Sequence, residues 1–156
     1  MKIIKLPEMT DVEINEALES QNICRIAFID EDYPYISPFQ YLYLNNIMYF
    51  HFTDYGKKKE ILEKNRNVCV SIEKFTKDLS EYFFISIQGK LNPVDDSQER
   101  KQIIKKMILE AKKKYSKNFL SAHGFEKNKG WDYFTDQNQL IYKLEDIVYR
   151  VGLKSI

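Results

Sequence analysis

The residues best suited to chemistry crowd into one stretch, Tyr49-Phe50-His51-Phe52-Thr53-Asp54-Tyr55-Gly56-Lys57-Lys58-Lys59. An aromatic run carrying a histidine leads into a glycine turn and three consecutive lysines. If a helix starts at the lysines, its first N–H groups lack intrahelical partners and its dipole presents positive charge. Gly56 allows a tight turn and close approach of a ligand, Thr53 offers a hydroxyl, and a lysine adds a point charge. That combination suits a phosphate, although a solvated lysine run on an ordinary surface reads the same way. His51, between two phenylalanines, reads from its neighbours as a packed ring bonded to backbone. His123, in Ser121-Ala122-His123-Gly124, reads as structural or solvated.

Other chemistries are excluded by what is missing. Two histidines and two separated cysteines, with no CxxC or HExxH, cannot form a His-rich zinc centre, so no metal is expected. Cys24 and Cys69 each lie in an apolar run and read as buried, reduced thiols. The 24 Lys+Arg against 23 Asp+Glu give a net charge of +1, which removes the bulk electrostatic case for nucleic acid or an anionic membrane. The N-terminus lacks a long apolar leader and no stretch approaches about 18 uninterrupted apolar residues, which predicts a cytoplasmic protein.

The elements that must position these residues belong to one domain, 1–156, long enough to bury a core without disulfide or metal. Aromatics make up 14%, with 11 Tyr and 10 Phe against 5 Gly and 4 Pro, which favours half-buried sheets over a helical bundle. Thr10-Asp11-Val12-Glu13 is a capping box opening a helix over 11–20. Strands are expected at 23–29, 35–44, 47–52 and 68–75, with Pro38 marking an edge or bulge and Asn45-Asn46 a tight hairpin. Alternation in 47–52 puts Ile47, Tyr49 and His51 on one face and Met48, Phe50 and Phe52 on the other, both apolar and therefore both covered. A short basic helix occupies 57–64, and the clearest alternation in the chain runs over 83–91. A long helix begins at Asp96-Ser97-Gln98-Glu99 and reaches about 114, with a solvated lysine face, and two closing strands follow at 139–144 and 147–153. Residues 115–137 give no clear pattern. Trp131, with Tyr133 and Phe134, reads as packing or a dimer contact, or as a ring stacked near a ligand. Strands joined by tight turns must be antiparallel, and about seven of them with few helices make a small, mainly β barrel.

Five short motifs in order sharpen this. They are Arg25-Ile26-Ala27, Pro34-Tyr35-Ile36-Ser37-Pro38, Tyr49-Phe50-His51, Gly56-Lys57-Lys58 and Asn65-Arg66-Asn67-Val68. Over roughly residues 10–75 they resemble the pyridoxamine 5'-phosphate oxidase-like FMN-binding split-barrel proteins, within them the 5-nitroimidazole-resistance (Nim-type) branch. The resemblance implies an α+β, six-stranded antiparallel split barrel with flanking helices, paired as a homodimer with FMN in the groove between chains. Carried over position by position, it implies that Lys58 and Lys57 bind the FMN phosphate. Arg25, beside Ile26 and Ala27, would reach it with help from Thr53. The backbone of Ser37, Pro38 and Phe39 and of His51 and Phe52 would line the flavin edge, with His51 as the catalytic residue that contacts substrate or, with an ordinary pKa of about 6.5, donates a proton. The third lysine departs from the family's usual pair and leaves open which of Lys57, Lys58 and Lys59 leads. Phe52 is bulkier than the family's usual residue.

The function implied is an FMN-dependent oxidoreductase that takes a hydride from NADH or NADPH and reduces a small oxidised acceptor, in the Nim-type version a nitro-aromatic. The alternative is a non-catalytic protein of the same fold holding flavin, deazaflavin or haem in a stress response. A vitamin B6 phosphate oxidase is not favoured, because its Arg-x-His motif near the C-terminus is missing from Val148-Tyr149-Arg150-Val151-Gly152-Leu153-Lys154.

Overall fold

A computed structural model of the chain describes residues 4–116, 118–122, 130–131 and 139–156. The element order is α1 (Asp11–Ser20), β1 (Ile23–Asp30), β2 (Tyr33–Gln40), β3 (Leu42–Leu44), β4 (Ile47–Phe52), α2 (Lys57–Lys64), β5 (Asn67–Phe75), β6 (Tyr82–Pro93), α3 (Ser97–Lys114), α4 (Phe119–Ala122) and β7 (Leu140–Lys154). The capping box forms as the sequence predicts. Thr10 Oγ1 accepts from the Glu13 N–H, and the Glu13 carboxylate accepts from the Thr10 N–H at 2.8 Å. α1 then buries Ile14, Ala17 and Leu18.

All strand pairs are antiparallel, in the order β2-β1-β5-β6-β7-β4-β3. Among the described strands β2 lies at one end of the sheet and pairs with β1 alone, which is where a strand can hold Pro34 and Pro38 without losing ladder bonds. The sheet curls on itself. Phe28 on β1 and Phe52 on β4 are not on neighbouring strands, yet their rings meet edge-on at 6.4 Å; Phe39 on β2 lies 4.7 Å from Phe52. These rings, with Ile26, Phe50, Val70, Ile72, Ile85 and Leu91, form the barrel core, which α1 and α2 close. A smaller core lies on the other face of β4, where Tyr49 and Ile141 meet Ile103 and Ile104 of α3. Both faces of β4 are thus covered, as its double-sided apolar pattern requires. The mainly β split-barrel architecture expected from the sequence is the one observed.

Two boundaries differ from the sequence reading. The single strand expected over 35–44 breaks at Tyr41, whose N–H donates to the Asn22 carbonyl (3.2 Å) and whose hydroxyl donates to the Leu18 carbonyl (2.9 Å). These bonds turn the chain toward α1 and make β3 a separate, seventh strand. The two closing strands are instead one, β7, because Glu145-Asp146 forms a bulge and not a turn. Asp146 sits at φ 49°, and the register against β6 shifts between Gln88 and Lys90. The bulge depends on Gly89: a Cβ there would stand 2.6 Å from the Glu145 carbonyl oxygen. Gly89→Val should therefore cost about 1–3 kcal/mol, read as a lower urea midpoint at unchanged slope. No helix among the described residues is long and apolar enough to cross a membrane.

Candidate functional site

The glycine turn and lysine run form as the sequence predicts. Gly56 is the N-cap of α2 at φ 90°, a left-handed conformation costly for any residue with a Cβ. It supplies no side-chain cap. The N–H groups of Lys59 and Glu60 bond back to the Gly56 carbonyl at 3.1 and 3.3 Å, leaving those of Lys57 and Lys58 without helical partners. Thr53 donates its hydroxyl to the Tyr55 carbonyl (3.1 Å) and so braces the turn.

The three lysines are not equivalent. Lys57 Nζ sits 2.6 Å from Asp30 and 5.5 Å from the Tyr35 ring; its hydrogen bond to Asp30 holds its pKa above the ordinary value. Lys59 is bonded to Glu63 at 2.6 Å and also pairs with Asp54, and the Glu63 bond raises its pKa. Lys58 pairs with no carboxylate among the described residues; its ammonium lies 4.9 Å over the Phe39 ring. Of the three, it is therefore the cation most available to an anionic ligand.

The remaining predicted site residues distribute over three faces. Ile26 is fully buried in the barrel core, Phe39 and Phe52 are buried beside it, and Ser37 is buried on the same inner face of β2 as Phe39. Arg25, Ala27 and Pro38 project to the outer face; opposite residues in a ladder share a face, and Arg25 pairs with Pro38 and Ala27 with Ile36. There Arg25 forms an ion pair with Glu73. Arg25 lies about 16 Å of strand from Asp30, the partner of Lys57, so a single chain does not gather Arg25 and the lysine turn. His51 faces away from Phe52, toward α3.

His51 lines a pocket of about 120 Å³ between β4 and the second half of α3, with Leu42, Met107, Ile108 and Ala111. Its outer wall is a stack of three rings: Tyr115 on Phe119 at 4.7 Å and 8°, and Phe119 on Trp131 at 5.6 Å and 13°. Tyr115 is held by Asn22, whose amide donates to its hydroxyl at 2.9 Å. The other end of α3 is fastened through Glu99, which accepts from Tyr49 Oη (3.1 Å) and Lys143 Nζ (3.2 Å). His51 Nε2 is hydrogen-bonded to Gln139 Oε1; an amide oxygen only accepts, so Nε2 carries the proton.

Burial pushes the His51 pKa below its ordinary 6.5, and the Gln139 bond offsets part of the shift. The imidazole is therefore neutral at pH 7, which suits a hydrogen-bonding role better than the acid role open from sequence. An NMR titration of the ring should give a midpoint below 6.5, and Gln139→Leu should lower it further. As pH falls through 6.5 the unfolded chain takes up protons that the native ring still refuses. Native stability must then decline until the buried ring is protonated as well.

Sequence reading alone missed Gln139, Tyr115 and Phe119, because their meeting with His51 depends on how α3 lies over the sheet. Trp131 was among the candidates and stands at the pocket; His123, Tyr133 and Phe134 lie outside the described residues. Burial pushes the Cys24 thiol up to about 12, and Cys69, half-buried on the outer face, is also raised. Neither is a reactive thiolate.

Comparison with known proteins gives this arrangement a family. The sequence pattern of the family described as pyridoxamine 5'-phosphate oxidase matches residues 10–128. An FAD-binding protein from Mesorhizobium loti has a similar structure at TM-score 0.65 and 16% identity, covering 98% of this chain and 100% of that one. A Bacteroides thetaiotaomicron protein provisionally assigned to 5-nitroimidazole antibiotic resistance is similar at TM-score 0.68 and 19% identity, covering 96% and 87%. HutZ, the heme storage protein from Vibrio cholerae, is similar at TM-score 0.66 and 15% identity, covering 92% and 94%. No curated protein matches the sequence. At such identities the solved structures establish a shared fold, and the sequence pattern, running from the capping box through the lysine turn and α3, supplies the lineage: the chain belongs to the pyridoxamine 5'-phosphate oxidase family.

Proposed function

We propose that this protein is an FMN-dependent oxidoreductase that works as a homodimer, with the flavin phosphate on the Lys57-Lys58 turn. The observation carrying the reading is Lys58. Among the described residues it has no carboxylate partner, and it stands at the exposed start of α2 beside two N–H groups that lack helical partners. That donor set fits a phosphate, since it combines a point charge with directed N–H groups at a positive helix end. One compact cluster suits one phosphate group, which favours FMN over FAD. Family membership and the FAD-binding relative from M. loti support flavin as the cofactor class.

Bound FMN would supply two-electron chemistry, accepting hydride from NADH or NADPH and passing electrons to a small oxidised acceptor. The chain's own part is to bind, orient and shield. Lys58, with Lys57 beside it, holds the phosphate, and Gly56 lets backbone approach it. Arg25, Ala27 and Pro38 line the outer face, where a second chain would complete the groove. His51, neutral and bonded to Gln139, lines the pocket under α3. A nitro-aromatic acceptor is the specific version, supported by the provisional assignment of the B. thetaiotaomicron relative.

The test is direct. Purified protein loaded with FMN and given NADH or NADPH without oxygen should bleach, and should regain its colour when an acceptor is added. A colourless protein that takes up no FMN overturns the reading. The heme storage role of HutZ keeps a carrier as the second reading. It predicts a bound chromophore that reduced nicotinamide leaves unchanged. The engagement of His51 Nε2 by Gln139 argues against that histidine as a haem ligand.

A further inference from the structure

The lysine turn is rich in cations, and most of them are already committed. Lys57 Nζ sits 2.6 Å from Asp30, and Lys59 lies 2.6 Å from Glu63 and 3.5 Å from Asp54. Lys64, at the far end of α2, pairs with Glu31 at 3.6 Å. Asp30 and Glu31 are consecutive residues where β1 turns into β2, so one acidic turn reaches both ends of the helix. Neither belongs to any of the five motifs that carry the family resemblance.

Asp30 stands out because of where Lys57 stands. The Lys57 N–H is one of the two without helical partners at the start of α2, so its side chain leaves the backbone beside the phosphate position. Its ammonium is held between the Asp30 carboxylate and the Tyr35 ring, and the Asp30 bond raises its pKa. A phosphate on that ammonium meets a carboxylate already there. Two acceptors sharing one ammonium keep their charge centres about 5–6 Å apart. A carboxylate at that distance from a nearly dianionic phosphate, in water-like surroundings, weakens binding about tenfold.

Bracing α2 on the sheet is the other role open to Asp30, and the helix has a stronger anchor. Ile61 and Leu62 are 3% and 1% exposed within the barrel core. The Lys57 side chain is 56% exposed, and an ion pair in such a setting adds little to stability.

We infer that Asp30 is an affinity-setting residue of the phosphate site, whose carboxylate competes with the ligand's phosphate for Lys57 and keeps the ligand exchangeable. The inference rests on the reading that the FMN phosphate lies on the Lys57-Lys58 turn. It adds a positioning residue that acts through Lys57 without touching flavin. Bracing and competition predict opposite signs. Loss of a brace loosens the turn and weakens binding, whereas loss of a competitor tightens it.

FMN is titrated into the full native chain, Asp30→Asn, Asp30→Glu, Asp32→Asn, and Asp30→Asn combined with Lys57→Ala. Flavin fluorescence gives the affinity, and rapid dilution gives the release rate. Asp30→Asn should bind FMN about tenfold more tightly, mainly through slower release, with its thermal midpoint essentially unchanged. Asp30→Glu should keep the native affinity. Asp32, two residues on in the same turn, stands outside both ion pairs, and Asp32→Asn should change affinity less than about twofold. Lys57→Ala should remove the gain that Asp30→Asn brings. Riboflavin, which lacks the phosphate, should bind the native chain and Asp30→Asn alike. FMN affinity that Asp30→Asn lowers or leaves unchanged overturns the inference while the flavin reading stands, and so does an equal gain from Asp32→Asn. No FMN uptake by the native chain or any variant overturns both.

Discussion

Replacing Lys58 with alanine should weaken FMN binding about 10–100-fold, because a hydrogen bond to a charged group is worth roughly 1.5–3 kcal/mol. The same change at Lys59 should matter less than about threefold, since that ammonium is already committed to Glu63 and Asp54. Lys57→Ala should fall between them, because any phosphate must share Lys57 with Asp30. Flavin fluorescence titrations on the three variants check the ranking, and the Lys58 effect should shrink as salt is raised, since the turn is exposed. Equal losses at all three positions would mean that only the net charge of the run matters. The ranking puts to measurement the question that three identical side chains leave open in the sequence.

The second large effect concerns the open face of the sheet. Ile36 is 60% exposed and Ile29 51%, and Val148 reaches 81%. Register makes one surface of this face, since Ile36 lies beside Ala27, Ala27 beside Cys69, and Cys69 beside Gln88, and Ile29 and Val148 line one concavity with Ala27 and Cys69. A second chain on this face would bury the apolar stripe that α3 leaves uncovered. Ile36→Lys should then loosen the dimer by about 100-fold or more, because it places a desolvated charge against its symmetry mate. The isolated chain should lose no more than about 0.5 kcal/mol, since Ile36 is exposed within it. Light scattering coupled to size exclusion reads the outcome, and FMN uptake should fall together with dimerisation if the flavin lies between chains. A wild-type protein that is already monomeric at micromolar concentration removes the dimer from the proposal.

Much of this arrangement is legible in local pattern. The capping box at Thr10 and Glu13, the Asn45-Asn46 hairpin with both residues at positive φ, and the edge position of Pro38 each follow from rules that span a few residues. The alternation in β4 likewise separates His51 from Phe52. It cannot say what covers each side. That depends on contacts across long separations: His51 meets Gln139 88 positions away, and Asn22 meets Tyr115 93 away. The division of Arg25 from the lysine turn has the same origin. Both belong to one ordered series of motifs in the sequence, but strand parity sends Arg25 outward while α2 lies over the barrel core. The continuous β7 was hidden because Glu145-Asp146 has turn chemistry, and the sign that overrides it, Gly89, sits on another strand.

The position of β7 has a consequence for how the chain comes to fold. It is the last strand in sequence, yet it pairs on one side with β6, from Tyr142 opposite Pro93 to Lys154 opposite Phe83, and on the other with β4. Until residues 140–154 are available, the sheet exists as two pieces, β2-β1-β5-β6 and β4-β3, each with an unsatisfied edge. During synthesis those edges wait until β7 has emerged, and they are the surfaces that could pair wrongly with another nascent chain. Joining them also requires closing long loops, which makes the final step slow relative to hairpin formation. Chains cut short before residue 140 should therefore accumulate as aggregates, and supplying the closing strand as a separate peptide should suppress that aggregation.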